Sequence, residues 1–331
     1  MKRKRDNIRR RLLDTLREET ILPPLPDHNV VLDSDEIAAH TASLRPCLAK
    51  AQCIEASNVA RYFEETYVGE DKADRNFWGD LKCLVPPFEV FFVEWEKPCM
   101  PVALRMGVLF IACKPELAEA TLRSIIGTNA HTTPKKIDEF RAKNPTWIYL
   151  TFDFLEFPNA DRQHISGLRS PYHLGCISVS DDGSILDFWY SHASGAITKR
   201  ESEIIGAATM PAFTTLAMLN CENIDSIEHQ APEPFQRSRV RKGKLPLVSY
   251  RTIQVNLAKT PKAIAADELP AVNSDGTVRR LHQKRGHMKD YRKGKGLFGK
   301  YKGLWYWGPQ LAGSGAAGVV VSDYEVKGEL P

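Results

Sequence analysis

Four strand-length runs, crowded with aromatic and β-branched residues, limit what this chain can fold into. They read PFEVFFVEW (residues 87–95), VALRMGVLFIA (102–112), WIYLTFDFLEF (147–157) and HLGCISVS (173–180). Such side chains stand well on a pleated surface, and each run is bounded by Pro, Gly or Asp. Asp181-Asp182-Gly183-Ser184, followed by ILDFWY, is a hairpin signal, because Asp-Gly supplies the positive φ angles of a tight turn.

Helical signals surround and interrupt these runs. Ile8, Leu12, Leu13 and Leu16 recur at helical spacing ahead of the stop Pro23-Pro24-Leu25-Pro26. Ser34 is placed to cap a helix through residues 38–44, and Asn58 one that reaches Tyr67. Pro115 and Pro134 stand at the first turns of two further helices, and residues 201–220 read as an apolar helix kinked or broken at Pro211. Residues 247–255, 304–307 and 318–326 are strand-like. The expected fold is α+β: a helical N-terminal region (1–80), then an α+β core (81–256) whose sheet is largely antiparallel with interleaved helices. A linker or surface excursion (257–278) and a basic, aromatic-rich C-terminal β segment (279–331) follow. Residues 235–244, FQRSRVRKGK, read as a basic joint.

Charge is divided unevenly along the chain. The net charge of +4 over 331 residues conceals +14 in residues 235–302 and −14 in residues 18–234, with a further basic cluster in the first 17 residues. An acidic body that carries basic segments points to a polyanionic partner. The alternative is that the basic segments pack against that body. No apolar run approaches the roughly 20 residues that span a bilayer, and the basic N-terminus has no apolar stretch behind it, so neither a membrane partner nor a secretory leader is expected. Seven cysteines without a Cys-x-x-Cys pair fit buried, reduced thiols in a cytoplasmic protein. No metal site or cofactor is expected, and the oligomeric state is left open.

Residues 277–302, TVRRLHQKRGHMKDYRKGKGLFGKYK, hold ten Lys or Arg against one acid, Asp290. Cations neutralise phosphates and flat rings stack on bases, so this composition fits RNA or single-stranded DNA. Arg279, Arg280, Lys284, Arg285, Lys289, Arg292, Lys293, Lys295, Lys300 and Lys302 are the candidate phosphate contacts. Tyr291, Phe298, Tyr301 and Trp305 are the candidate stacking platforms, although Phe298, Trp305 and Trp307 also suit the core of a terminal hairpin. Glycines 286, 294, 296, 299 and 303 permit close backbone approach.

Several pieces of the C-terminal third occur together: LNCENI (219–224), the basic stretch 237–244 with Pro246 and Tyr250, HQKRGHMKDYRKGK, LFGK, LWYWGPQLAG and a closing SDYEV. This block resembles the C-terminal part of uncharacterised proteins of bacteriophages and mobile elements, with Arg285-Gly286-His287 its most recognisable core. The resemblance implies a phage-type, bacterial cytoplasmic setting. It brings no catalytic residue with it.

A catalytic reading uses the same stretch. Metal-independent RNA cleavage needs a base, an acid and a cation, and His282, His287 and Arg285 supply those types, with Tyr291 to position a phosphate. A spacing of five places the two rings on opposite faces of a strand unless Gly286 bends the chain. Elsewhere, His164, His173 and His192 near Asp153, Asp161, Asp181, Asp182 and Asp187 lack the spacing of a two-metal site and read as turn residues. Gly294-x-Gly296-x-x-Gly299 matches a dinucleotide fingerprint by letter only, with no strand before it and no helix after it. The leading expectation is therefore nucleic-acid binding. A His-pair ribonuclease, and an inhibitor or adaptor whose acidic body contacts a host protein, are the alternatives.

Overall fold

The computed structural model describes residues 10–19, 34–67, 81–96, 105–126, 133–157, 167–169, 173–192, 199–256, 258–260, 280–284, 286–308, 310–312 and 314–319. Its helices are α1 (Leu12–Glu18), α2 (Ser34–Lys50), α3 (Ser57–Tyr67), α4 (Ala118–Ile126), α5 (Thr133–Arg141), α6 (Lys199–Leu219) and α7 (Glu233–Arg241). The main sheet contains β1 (Gln52–Glu55), β2 (Val90–Glu96), β3 (Arg105–Cys113), β4 (Trp147–Phe157), β5 (Gly167–Arg169), β6 (His173–Val179), β7 (Ile185–His192), β8 (Ile224–His229) and β9 (Tyr250–Val255). Its order is β7-β6-β4-β3-β2-β1-β9-β8, with β5 also paired to β4. Among the described pairings of this sheet, only the two ladders of β1, to β2 and to β9, are parallel. The fold is α+β and its sheet is mostly antiparallel.

The strands are apolar almost throughout because both faces of the sheet are covered. Alternation divides their residues. Phe91, Val93, Met106, Val108, Phe110, Tyr149 and Ile177 face α3 and α6, while Phe92, Leu109, Ile111, Leu150, Phe152 and Cys176 face α1, α2, α4 and α5. On the first face Phe110 stacks on Phe91 at 4.7 Å and meets Phe213 of α6 edge-on at 5.3 Å. Each such pair adds about 0.5–1.5 kcal/mol to the burial term. α6 continues through Pro211, where the sequence predicts a kink or break.

The structure corrects the sequence in three places. Residues 1–80 are not wholly helical, since β1 lies inside the main sheet between β2 and β9. Four residues, QCIE, are too short to show a period. The basic joint contains α7, which has no buried residue and therefore no apolar stripe for a pattern to reveal. The strand expected at 247–255 begins at Tyr250. The Asp-Gly hairpin forms as expected, with Gly183 at φ 82° between β6 and β7. The six described cysteines are free, and five of them are buried. Among the described residues no helix is long and apolar enough to cross a membrane.

α1 is fixed by a carboxylate that comes from the sheet. Glu94 of β2 is 3 % exposed and accepts the Leu13 backbone N–H at 3.0 Å, at the start of α1. Burial raises its carboxyl to about 7, against the pull of the α1 N–H groups, Arg11 and Arg105. The folded protein therefore holds this proton at pH values where the unfolded chain, near 4.5, has released it. The resulting stabilisation is complete below about 4.5 and is lost as pH rises through about 7. We expect the urea midpoint to fall across that window. Glu94→Gln keeps an acceptor for Leu13 and should flatten the decline; an unchanged slope in this variant would remove Glu94 as its source.

Candidate nucleic-acid interface

The basic C-terminal segment forms strands of two small sheets. β10 (Arg280–Lys284) pairs with β13 (Gln310–Ala312) and β14 (Ser314–Val319), whereas β11 (His287–Asp290) pairs antiparallel with β12 (Leu304–Trp307). The chain changes sheet between Lys284 and His287. Period-two alternation in LWYW then sends Leu304 and Tyr306 into the first-face core and Trp305 and Trp307 into a separate aromatic cluster with Tyr291, Leu297 and Tyr301.

Three contacts dock the strand end of this hairpin. Asn223, fully buried, donates its side-chain N–H to the Tyr306 carbonyl at 2.8 Å and accepts the Tyr306 N–H at 2.9 Å. The Glu222 N–H donates to the Leu304 carbonyl at 2.8 Å. The Tyr62 hydroxyl donates to the Gly286 carbonyl. A Cβ on Gly286 would lie 2.4 Å from the Tyr306 hydroxyl oxygen, so the two tyrosines leave room for glycine alone. The LNCENI, Arg-Gly-His and LWYW pieces thus meet at one place, through Asn223, Gly286 and Tyr306.

The loop between β11 and β12 turns back on itself. Leu297 and Tyr301 exchange backbone hydrogen bonds at 2.8 and 3.0 Å, and Gly296 and Gly299 take φ of 80° and 70°. Between them Phe298 holds φ 53° with 72 % of its surface exposed. A left-handed backbone costs a residue with a Cβ roughly 1–2 kcal/mol. An aromatic ring gains nothing from water, so this tip is strained and displayed at once. Lys295, Lys300 and Lys302 are exposed around it.

The remaining predicted residues have different surroundings. Trp305 is 7 % exposed, donates its indole N–H to the Lys302 carbonyl at 3.2 Å and meets Tyr301 edge-on at 5.9 Å. It is therefore floor under the loop, with no open face for a base. Tyr291 is half-buried in the same floor, and desolvation raises its hydroxyl. Arg292 is an anchor: it grips Asp290 through two nitrogens at 2.7 and 3.0 Å and donates to the carbonyls of Asp182 and Lys82. Lys293 reaches Asp182 at 3.2 Å. Hydrogen bonds from Ser180 and Ser184, with Lys293, hold the Asp182 carboxyl well below the usual range, and the hydrogen bonds from Arg292 lower that of Asp290. Part of the basic segment therefore packs on the acidic body, as the competing expectation had it.

His287 stacks on Trp307 at 6.0 Å and 19°, and the Lys289 ammonium lies 4.1 Å from the centre of the same ring. The ladder change at Gly286 puts His282, in β10, on a different ladder from His287. Arg279 and Arg285 lie outside the described residues, and Arg280, His282 and Lys284 are described as backbone of β10. Asn223 and Tyr62 were invisible to sequence reasoning, because their partners are 83 and 224 residues away.

No protein-family model, curated protein or solved structure matches this chain. The functional reading therefore rests on its own residues.

Removing the Asn223 side chain strands a buried N–H and a buried carbonyl on β12. Asn223→Ala should cost about 2–4 kcal/mol in chemical denaturation. Gly286→Ala should lower the midpoint as well, through its clash with Tyr306. A wild-type midpoint in either variant would contradict this account of the docking.

Proposed function

We propose that this is an intracellular, phage-type protein that binds single-stranded nucleic acid, RNA or DNA, through the loop between β11 and β12. The observation that carries the reading is Phe298, an exposed ring held in a left-handed backbone among three exposed lysines. A ring on a cationic loop suits an unpaired base, whose face is free to stack while its neighbouring phosphates meet Lys295, Lys300 and Lys302. Trp305, Trp307 and Tyr301 act from below by fixing where the tip stands. By residue type Arg279, Arg280, Lys284 and Arg285 are further candidates for phosphate contact, and Lys289 lies over the Trp307 ring.

Contact explains this arrangement better than cleavage. His287 is committed to the Trp307 ring beside a cation, and the chain changes ladder between it and His282.

Fluorescence anisotropy with a labelled 15-nucleotide single strand at low salt tests the proposal. Stacking is worth about 1–3 kcal/mol per base, so Phe298→Gly should weaken binding by roughly 10- to 100-fold. The same change relieves the left-handed strain and should leave stability equal or about 1 kcal/mol higher. Replacing Lys295, Lys300 and Lys302 with Ala should reduce the slope of log affinity on log salt by about 2. Wild-type affinity in Phe298→Gly would defeat the assignment.

A further inference from the structure

Helix α7 is a helix on display. Helices of this length owe their stability mainly to tertiary packing of an apolar face, yet no residue of α7 is buried. Pro at its start, Glu233 in its first turn and Arg239 and Arg241 in its last supply terminal stabilisation instead. The inner side is fastened by polar contacts. Gln236 donates to the Leu247 carbonyl at 2.9 Å and accepts the Leu247 N–H at 2.8 Å. Arg239 donates to the Leu245 carbonyl at 2.9 Å and to Glu18 of α1 at 2.6 Å. With 3.6 residues per turn, these attachments leave Arg237, Ser238 and Arg241 on the far side, all exposed. Lys242 and Lys244 continue the exposed positive charge beyond the helix end.

We propose that α7 is a second nucleic-acid site, separate from the loop, that holds the phosphate backbone of a duplex. Arg237 and Arg241 are one turn apart, about 6 Å at Cβ, with a serine hydroxyl beside them, and these are side-chain types that contact phosphate oxygens. A firmly mounted helix fixes the backbone positions of these cations, with Arg237 in a loose, exposed pair with Glu233 at 3.8 Å that a phosphate can replace, and this suits the rigid phosphate row and the helix-wide major groove of a duplex. The outer side of α7 carries no aromatic ring to stack on an unpaired base; Phe235 lies on its flank. α7 is tied to α1, which covers the second face of the sheet, whereas the hairpin bearing Phe298 belongs to the first. The two basic surfaces therefore engage nucleic acid independently, and a substrate with both paired and unpaired segments would satisfy both.

This inference rests on the reading of the protein as a nucleic-acid binder, and the test separates the two. Anisotropy is measured on the full chain with a 20-base-pair blunt duplex and with a 15-nucleotide single strand at 50 mM salt. The variants are Arg237→Ala/Arg241→Ala, Phe298→Gly and Phe235→Ser/Val240→Ser, each checked for folding by circular dichroism. We expect the double arginine variant to bind duplex at least 10-fold more weakly, with the salt slope reduced by about 2, and to bind single strand as the parent does. Phe298→Gly should show the reverse. Single-strand binding absent with duplex binding intact would sink the loop assignment and leave α7 standing. Duplex binding that is absent, or indifferent to the arginines, would overturn the α7 site alone. Loss of duplex binding in Phe235→Ser/Val240→Ser but not in the arginine variant would also overturn it, marking α7 as an apolar docking surface for protein.

Discussion

One side-chain amide carries the C-terminal part of this protein. Strand β12 has β11 on one edge, and on its other edge, at Tyr306, the side chain of Asn223 takes the place of a strand by giving one hydrogen bond and receiving one. A buried backbone pair with no partner costs several kcal/mol, and here the cost is offset by a group fully excluded from water. Because Asn223 also stands just before β8, the amide links the hairpin to the edge of the main sheet. The aromatic floor, the loop above it and the exposed ring at its tip take their position from this link together with the contacts of Tyr62, Glu222 and Arg292.

Charge in the basic segment is spent in two ways. Arg292 holds the loop to the body through the carbonyls of Asp182 and Lys82 while pairing with its neighbour Asp290, and Lys293 reaches the Asp182 carboxylate; both carboxylates are held ionised by the hydrogen bonds they accept. Lys295, Lys300 and Lys302 stand out from the surface. Composition alone ranks all five cations together, because a lysine that holds the fold and one that meets a partner are the same letter. The difference lies in which acid is close, and Asp182 is more than a hundred residues away in the chain.

Legibility follows the same logic. The long strands β2, β3, β4 and β6 were readable because aromatic and β-branched residues announce a pleated surface, and the Asp-Gly turn was readable because its chemistry is local. β1 and α7 were not. The first is four residues long, and the second buries nothing, so neither leaves a periodic trace. Within the site, the concentration of cations and rings was evident. The division into buried floor and exposed tip was not, since Trp305 and Phe298 look equally suited to either role until the backbone sets one at 7 % exposure and the other at 72 %.

The place of β1 has a consequence for how the molecule assembles. Strands β2 to β7 form a meander of neighbours that can pair as they are made, but the outer edge of β1 stays open until β9 arrives, with Cys53 and Tyr250 about 200 residues apart. Closing so long a loop is slow compared with forming local hairpins. Until β9 is made, the growing chain thus has an unpaired strand edge beside an apolar sheet face, an arrangement prone to association with other chains. The C-terminal third is therefore the segment whose arrival converts an aggregation-prone sheet into a finished one.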